Sequence, residues 1–199
     1  EEGRYHSLGL KVDGSIIAWG TDGFYDYGQS YVPEPNSGFV AIAGGDWHSL
    51  GLQSNGAIVA WGMNEYGQCN VPHPNANYIA IAGGGLFSLG LKSDGTIVAW
   101  GRNDHGQCNI PEPNADFVAI AAGYWHGLGL KSDGTIVAWG RNGNGQCDIP
   151  APNANYTTIA GGWVHSLGLK SDGTITAWGW NDYGECDVPE PNTDFVSIA

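Results

Sequence analysis

Three residue types recur in this chain at spacings that could support chemistry. His6, His48, His126 and His165 share one position of an internal repeat, and Phe87 takes their place in the third copy. Imidazoles gathered from several copies could ligate a metal. The phenylalanine argues against that: a position that accepts it serves packing, with its imidazoles hydrogen-bonded to backbone. Cys69, Cys108, Cys147 and Cys186 share a second position, filled by Ser30 in the first copy. Four converging thiolates could hold zinc, but closed zinc sites usually draw on closely spaced cysteine pairs. Equivalent positions in packed sheets lie roughly 10 Å apart, beyond the about 7 Å between Cα atoms that a disulfide spans. Four buried free thiols, no disulfide and no metal are therefore expected. Asp94, Asp133 and Asp172 of Ser-Asp-Gly resemble part of a calcium loop without its ligand series, and a turn accounts for them. No Ser-His-Asp order, paired-carboxylate site or phosphate loop stands out, so neither catalysis nor a cofactor is expected. Asn155-Tyr156-Thr157 is a glycosylation sequon, which makes Asn155 a candidate modification site.

The elements that must position these residues follow from the repeat itself. Trp19, Trp61, Trp100, Trp139 and Trp178 each stand in Ala-Trp-Gly, spaced by 42, 39, 39 and 39 residues. A period near 40 residues signals a repeat architecture. Within one copy, Phe117–Ala121 is β-rich, and His126–Lys131 alternates large and small side chains as a strand does. Ser132-Asp133-Gly134 forms a hairpin turn with positive φ at both central residues. Thr135–Gly140 is a third strand, Gln146–Ile149 a short fourth, and Pro150–Asn153 the crossover. Four antiparallel strands per repeat make a propeller blade. The fold class is therefore all-β, a β-propeller of five four-stranded blades forming one domain over residues 1–199. Gly51, Gly90, Gly129 and Gly168 sit inside second strands, where glycine marks close approach of another backbone, here that of a stacked blade. A tryptophan from the neighbouring sheet is the expected filler.

The wording of these repeats carries a resemblance. His-Ser-Leu-Gly-Leu-Lys-Ser-Asp-Gly-Thr-Ile, then Ala-Trp-Gly-x-Asn-x-x-Gly-Gln, then Ile-Ala-Gly-Gly, resembles the regulator of chromosome condensation repeat over the whole chain. The short repeat is similar to the bacterial branch and to the secreted propeller-type β-lactamase inhibitor family. The resemblance implies a β-propeller that binds proteins through loops on one face. It also implies an extracellular or cell-surface location of bacterial type. Familiar members have seven blades where this chain has five repeats. Their basic, chromatin-facing character is absent, so nucleotide exchange is not carried over.

The chain has 7 basic and 20 acidic residues, a formal charge of −13. That disfavours nucleic acid and anionic membrane surfaces, which require a basic face, and favours solubility. No apolar run approaches the roughly 18–20 residues of a membrane span. The chain starts at Glu1 without a signal peptide, as expected of a processed chain or a segment of a longer one.

A meander sorts its loops between two faces. One gathers Tyr5, Trp47, Leu86, Tyr124, Trp125 and Trp163 from first loops. It adds Phe24, Tyr25, Tyr27, Met63, Tyr66, His105, Trp180 and Tyr183 from third loops. The other carries the Asp-Gly turns and the Pro-x-Pro-Asn crossovers, with Glu34, Glu112 and Glu190. Aromatic residues dominate interface hot spots, so Tyr5, Trp47, Tyr66, Tyr124, Trp125, Trp163, Trp180 and Tyr183 are the candidate partner-binding residues. The bland alternative is that several of these rings cap the sheet edges. Phe195–Ala199 reads as a first strand without a blade, and Tyr5–Leu10 as a second strand without a first. The near-integer repeat count predicts that residues 195–199 complete the first blade beside residues 5–11, within one chain or between chains. The partner is then a protein or further copies of this chain. Assembly into an extracellular filament is one alternative; a lectin with tryptophans stacked on glycans is another.

Overall fold

The computed structural model describes residues 3–20 and 25–199, and those residues contain strands but no helix. Blade one holds β1 (Ser7–Leu10) and β2 (Ile16–Trp19). Blade two holds β3 (Phe39–Gly44), β4 (His48–Gln53) and β5 (Ile58–Gly62). Blade three holds β6 (Tyr78–Gly83), β7 (Phe87–Lys92) and β8 (Ile97–Gly101). Blade four holds β9 (Phe117–Ala122), β10 (His126–Lys131) and β11 (Ile136–Gly140). Blade five holds β12 (Tyr156–Gly161), β13 (His165–Lys170) and β14 (Ile175–Gly179). Every sheet is antiparallel with sequential neighbours, so all five blades are meanders.

The turn chemistry explains the register. In the hairpin of blade three only Gly95 takes positive φ, at 79°. Asp94 instead accepts the Thr96 N–H (3.0 Å) and hydroxyl (2.7 Å), which locks the turn with Asp94 at negative φ. The expected pair of positive φ values is thus one. At the crossovers, Asn114 accepts the Ile97 N–H and donates to the Ile97 carbonyl, both at 2.8 Å. Asn36, Asn75, Asn153 and Asn192 clasp Ile16, Ile58, Ile136 and Ile175 in the same way. A side-chain amide with both groups used this way satisfies the backbone that the sheet edge leaves open.

The cores lie between blades. Leu128, Leu130 and Ile136 of blade four pack on Tyr156, Ile159 and Trp178 of blade five, and the same pattern recurs at each earlier junction. Trp61, Trp100, Trp139 and Trp178 are 4–6 % exposed there. The strand glycines mark the approach of an aromatic side chain of their own sheet, neither another backbone nor a neighbouring tryptophan. A Cβ at Gly51 would lie 2.6 Å from the Phe39 ring, and one at Gly90 2.6 Å from Tyr78. In blades two to five the aromatic residue opening the first strand packs against the glycine of its own second strand.

Two expectations are corrected. Gln146–Ile149 and its equivalents form turns, not a fourth strand. The Gln146 carbonyl accepts Ser166 Oγ and Trp178 Nε1 from the next blade, both at 2.9 Å, so it is aimed between blades and not along a ladder. Residues 195–199 form no strand, and β1 pairs only with β2. The Phe195 N–H donates to the Gly173 carbonyl at 3.0 Å, repeating the Phe117–Gly95 bond of the preceding junctions. Asp194 takes the same positive φ (66°) as Asn77, Asp116 and Asn155. That anchor sends the tail along blade five, beside Leu169–Gly173. The packed sheets run from blade one to blade five in order, and among the described residues blade five does not pack on blade one as neighbouring blades pack on each other. The leading side of blade one is correspondingly open: Trp19 is 54 % and Ile17 47 % exposed.

Candidate functional site

Three of the four blade junctions, all but that between blades three and four, are latched by a polar relay. His48 Nε2 lies 2.9 Å from Ser88 Oγ, whose hydroxyl donates to the Gln68 carbonyl at 2.8 Å. The hydroxyl proton is committed to Gln68, so His48 must donate through Nε2–H. Trp100 Nε1 donates to the same carbonyl at 2.8 Å. His6–Ser49–Gln29 and His126–Ser166–Gln146 repeat the arrangement. The histidines thus bond serine hydroxyls of the next blade, not backbone. Burial pushes His48 down to about 3 and His126 to about 4, so both are neutral. A neutral imidazole that donates to a buried serine cannot serve as its base. The thiols are half-buried, not buried. Cys69 Sγ donates to the Met63 carbonyl (3.3 Å), and burial raises Cys69 to about 12 and Cys108 to about 11. Among the described residues no His, Cys, Asp or Glu group is arranged to hold a metal.

The loops do gather on one face, and the structure brings most of the candidate aromatics together. Tyr5 stacks on Tyr25 (centroids 4.6 Å apart) and on Trp47 (5.7 Å), with Tyr27 tilted against Trp47 at 5.9 Å. Tyr124 meets Trp125 at 4.6 Å and Trp163 at 5.8 Å, both edge-on, and His105 packs on Trp125 at 5.3 Å. Trp180 and Tyr183 form a separate T-shaped pair at 5.1 Å. Trp163 is 55 % and Tyr183 84 % exposed; Tyr66 is also exposed, while Tyr5, Trp47, Tyr124, Trp125 and Trp180 are half-buried. Met63 and Leu86 are core residues, and Phe24 lies outside the described residues. Asn155 is exposed on the opposite face, where its carbonyl accepts the Ser171 N–H of a hairpin turn.

The charged partners were not apparent from aromatic content. The Arg102 guanidinium is sandwiched between Tyr66 (4.8 Å) and Trp125 (4.7 Å) and bonds Asp104 at 2.6 Å. The Arg4 guanidinium lies over Tyr5 (5.3 Å) and Trp163 (5.5 Å). Arg4, Asp46, Gly85, Tyr124 and Trp163 occupy one position of the repeat, two residues before the histidine or Phe87. All five line a central pocket of about 450 Å³. Glycines beneath them let the blades converge: a Cβ at Gly123 would collide with the edge of the His126 ring and with the Gly162 carbonyl. Gly85 N–H donates to the Tyr124 carbonyl (3.1 Å) and Tyr124 N–H to Gly162 (3.3 Å), which ties blades three, four and five at the hub. The available signal was a position that differs in every copy while its flanks repeat.

The comparisons agree with this architecture. The regulator of chromosome condensation (RCC1) repeat matches residues 39–68, 78–107, 117–146 and 156–185, more than half of the chain. No curated protein matches the chain by sequence. Yeast RCC1 (Prp20) bound to Kap60 is similar at 22 % identity and TM-score 0.76, covering 96 % of this chain and 58 % of that one. Prp20p of Saccharomyces cerevisiae, studied for binding Gsp1p and histones, superposes with TM-score 0.79 at 22 % identity, covering 96 % and 60 %. The ectodomain of the Physcomitrella patens receptor kinase CR4 gives TM-score 0.76 at 24 % identity, covering 92 % and 52 %. The chain thus spans 52–60 % of the length of these structures. At such identities they establish the propeller fold. With four repeats matched over more than half of its length, the chain belongs to the regulator of chromosome condensation (RCC1) repeat family.

Proposed function

We propose that this chain is a non-catalytic protein-binding propeller that uses the aromatic loop face. The observation that carries the reading is the half-exposed ring surface interleaved with Arg4 and Arg102, because aromatic and arginine side chains supply most interface hot spots. The similar yeast structures concern a protein that binds Kap60, Gsp1p and histones; here a protein partner is inferred from the site. The net charge of −13 favours a basic one by electrostatic steering. Trp163→Ala and Tyr183→Ala remove exposed rings, so melting temperature should hold while partner affinity falls about tenfold or more in a pull-down or titration. Unfolding of either variant would make the rings structural and reject the reading. Binding to a glycan array at several equivalent sites would move it to a lectin.

A second reading has its own observation. The open side of blade one, with Ile17 and Trp19 exposed, has the residue pattern that covers Leu128, Leu130 and Ile136 at an internal junction. The last blade ends in a segment positioned as the first strand of another blade. Two copies joined head to tail would repeat the internal junction, and such a heterologous contact propagates into a filament. Light scattering at rising concentration should then give multiples of 21.0 kDa. A constant single-chain mass rejects this second reading.

A further inference from the structure

We propose that the hub pocket is a receptor for a guanidinium group, an arginine side chain presented by the partner, and that Arg4 is a tethered occupant competing for it. The proposal deepens the protein-binding reading of this face and rests on it.

The strongest observation is an under-satisfied acceptor. Asp46 is only 8 % exposed, and its Oδ2 has no hydrogen bond of ordinary length; the Arg4 guanidinium and the Tyr124 hydroxyl favour its charged form without closing on that oxygen. Buried carboxylate oxygens are costly to leave unpaired. The nearest cation, Arg4 Nη1, stops 3.7 Å away, longer than the about 2.7–2.9 Å of a charge-assisted bond. Asp46 lines the same central pocket as Tyr124 and Trp163. The walls are therefore aromatic, one wall carries an anion, and the floor is glycine backbone from all five repeats.

Arg4 shows which ligand chemistry fits. Its guanidinium lies over two rings while leaning toward one carboxylate, and it stays 46 % exposed. A planar cation satisfies both demands at once: its face stacks on Trp163 while its edge can bond a carboxylate with two N–H groups. An ammonium supplies only a point charge. Arg4 cannot close the remaining gap easily, because its segment is held by the Gly3 N–H to His6 carbonyl bond and by Tyr5 stacking on Trp47. An arginine entering from solvent carries no such tether, so it can advance to bond Oδ2 directly and displace Arg4. The five hub positions hold five different residues, so only one junction, between Arg4, Asp46 and Trp163, combines the anion with the rings.

The test titrates Nα-acetyl-arginine amide into the full chain by NMR, which reads affinities in the millimolar range. Nα-acetyl-citrulline amide serves as the uncharged isostere. The variant Arg4→Ala should bind the arginine probe about fivefold or more tightly than the parent, because a cation–π competitor is gone. Adding Asp46→Asn or Trp163→Ala to Arg4→Ala should each lose about tenfold, and citrulline should bind neither parent nor variant. Trp163 is exposed, so its removal tests the site even if Asp46→Asn unfolds the chain. Equal affinity of parent and Arg4→Ala, no binding by either, or retained binding after Trp163→Ala overturns the proposal. A protein partner whose affinity depends on Trp180 and Tyr183 but is unchanged by Asp46→Asn overturns it too, while leaving the protein-binding reading intact.

Discussion

Asp46 and the latch histidines change stability over overlapping pH windows with opposite signs. Burial pushes the Asp46 carboxyl up to about 6, although the Arg4 charge pulls it back; the titratable groups facing it are Arg4 and Tyr124. Between its unfolded value near 3.8 and about 6, the folded protein holds a proton on Asp46 that the unfolded chain releases. Stability from this group therefore rises as pH falls through about 6. The histidines act the other way. Held near 3 and 4, His48 and His126 refuse the proton that the unfolded chain takes up below 6.5, so stability is lost as pH falls from there. Asp46→Asn removes the compensating carboxyl, so its melting temperature should drop more than the parent's between pH 7 and pH 5. Guanidinium binding at the hub needs the ionised carboxylate, so it should weaken as pH falls through about 6. Parallel melting curves for the two proteins would refute the assignment.

Blade junctions are the elements' own device for staying in register. Where a blade offers histidine, the next offers serine 40 or more residues on: His6 with Ser49, His48 with Ser88, His126 with Ser166. Where blade three offers Phe87, the corresponding residue of blade four is Gly127. Phenylalanine has no donor for a serine, and at Gly127 the Trp139 ring takes the space, 2.5 Å from where a Cβ would lie, so the pair changes together. His126→Phe alone should destabilise by about 1–3 kcal/mol, because a larger apolar ring meets the Ser166 hydroxyl. Adding Ser166→Gly should recover part of that loss, with a coupling of about 1 kcal/mol or more in a denaturant double-mutant cycle. Additive effects would mean that the two positions do not form a unit.

At the scale of the molecule, the five blades stop short of closing on themselves among the described residues. Trp19 stands 54 % exposed where its four counterparts are nearly buried, and Leu167 and Ile175 of blade five are half-buried where Leu128 and Ile136 are fully covered. These two surfaces have the residue pattern of one internal junction split in half. Exposed apolar surface of this kind marks an interaction site. If copies join there, Trp19→Thr should reduce the weight-average mass seen in light scattering at high concentration without moving the melting temperature by more than a few degrees. An unchanged mass distribution would remove Trp19 from any such joint.

How much of this was legible follows from what is periodic. The hydrophobic alternation, the Asp-Gly turns and the spaced tryptophans determined five all-β repeats and the sorting of loops to one face, because local conformation and strand period depend on near neighbours. Sequence reasoning failed where the partner lies a blade away. The filler of the strand glycines, the serine beneath each histidine and the turn in place of a fourth strand all depend on which atoms face the next sheet. The hub was missed for the same reason: Arg4, Asp46, Tyr124 and Trp163 are separated by about 40 residues per step, and only the rotation from blade to blade points them at one axis. The repeat count suggested closure, but closure depends on the angle between blades, which the packing of Phe39, Trp61 and their equivalents against the preceding sheet sets. The sequence by itself thus determined the blade and its loops; the tertiary structure decided the opening of the ring and the pocket at its hub, because both are sums of inter-blade geometry that no single repeat encodes.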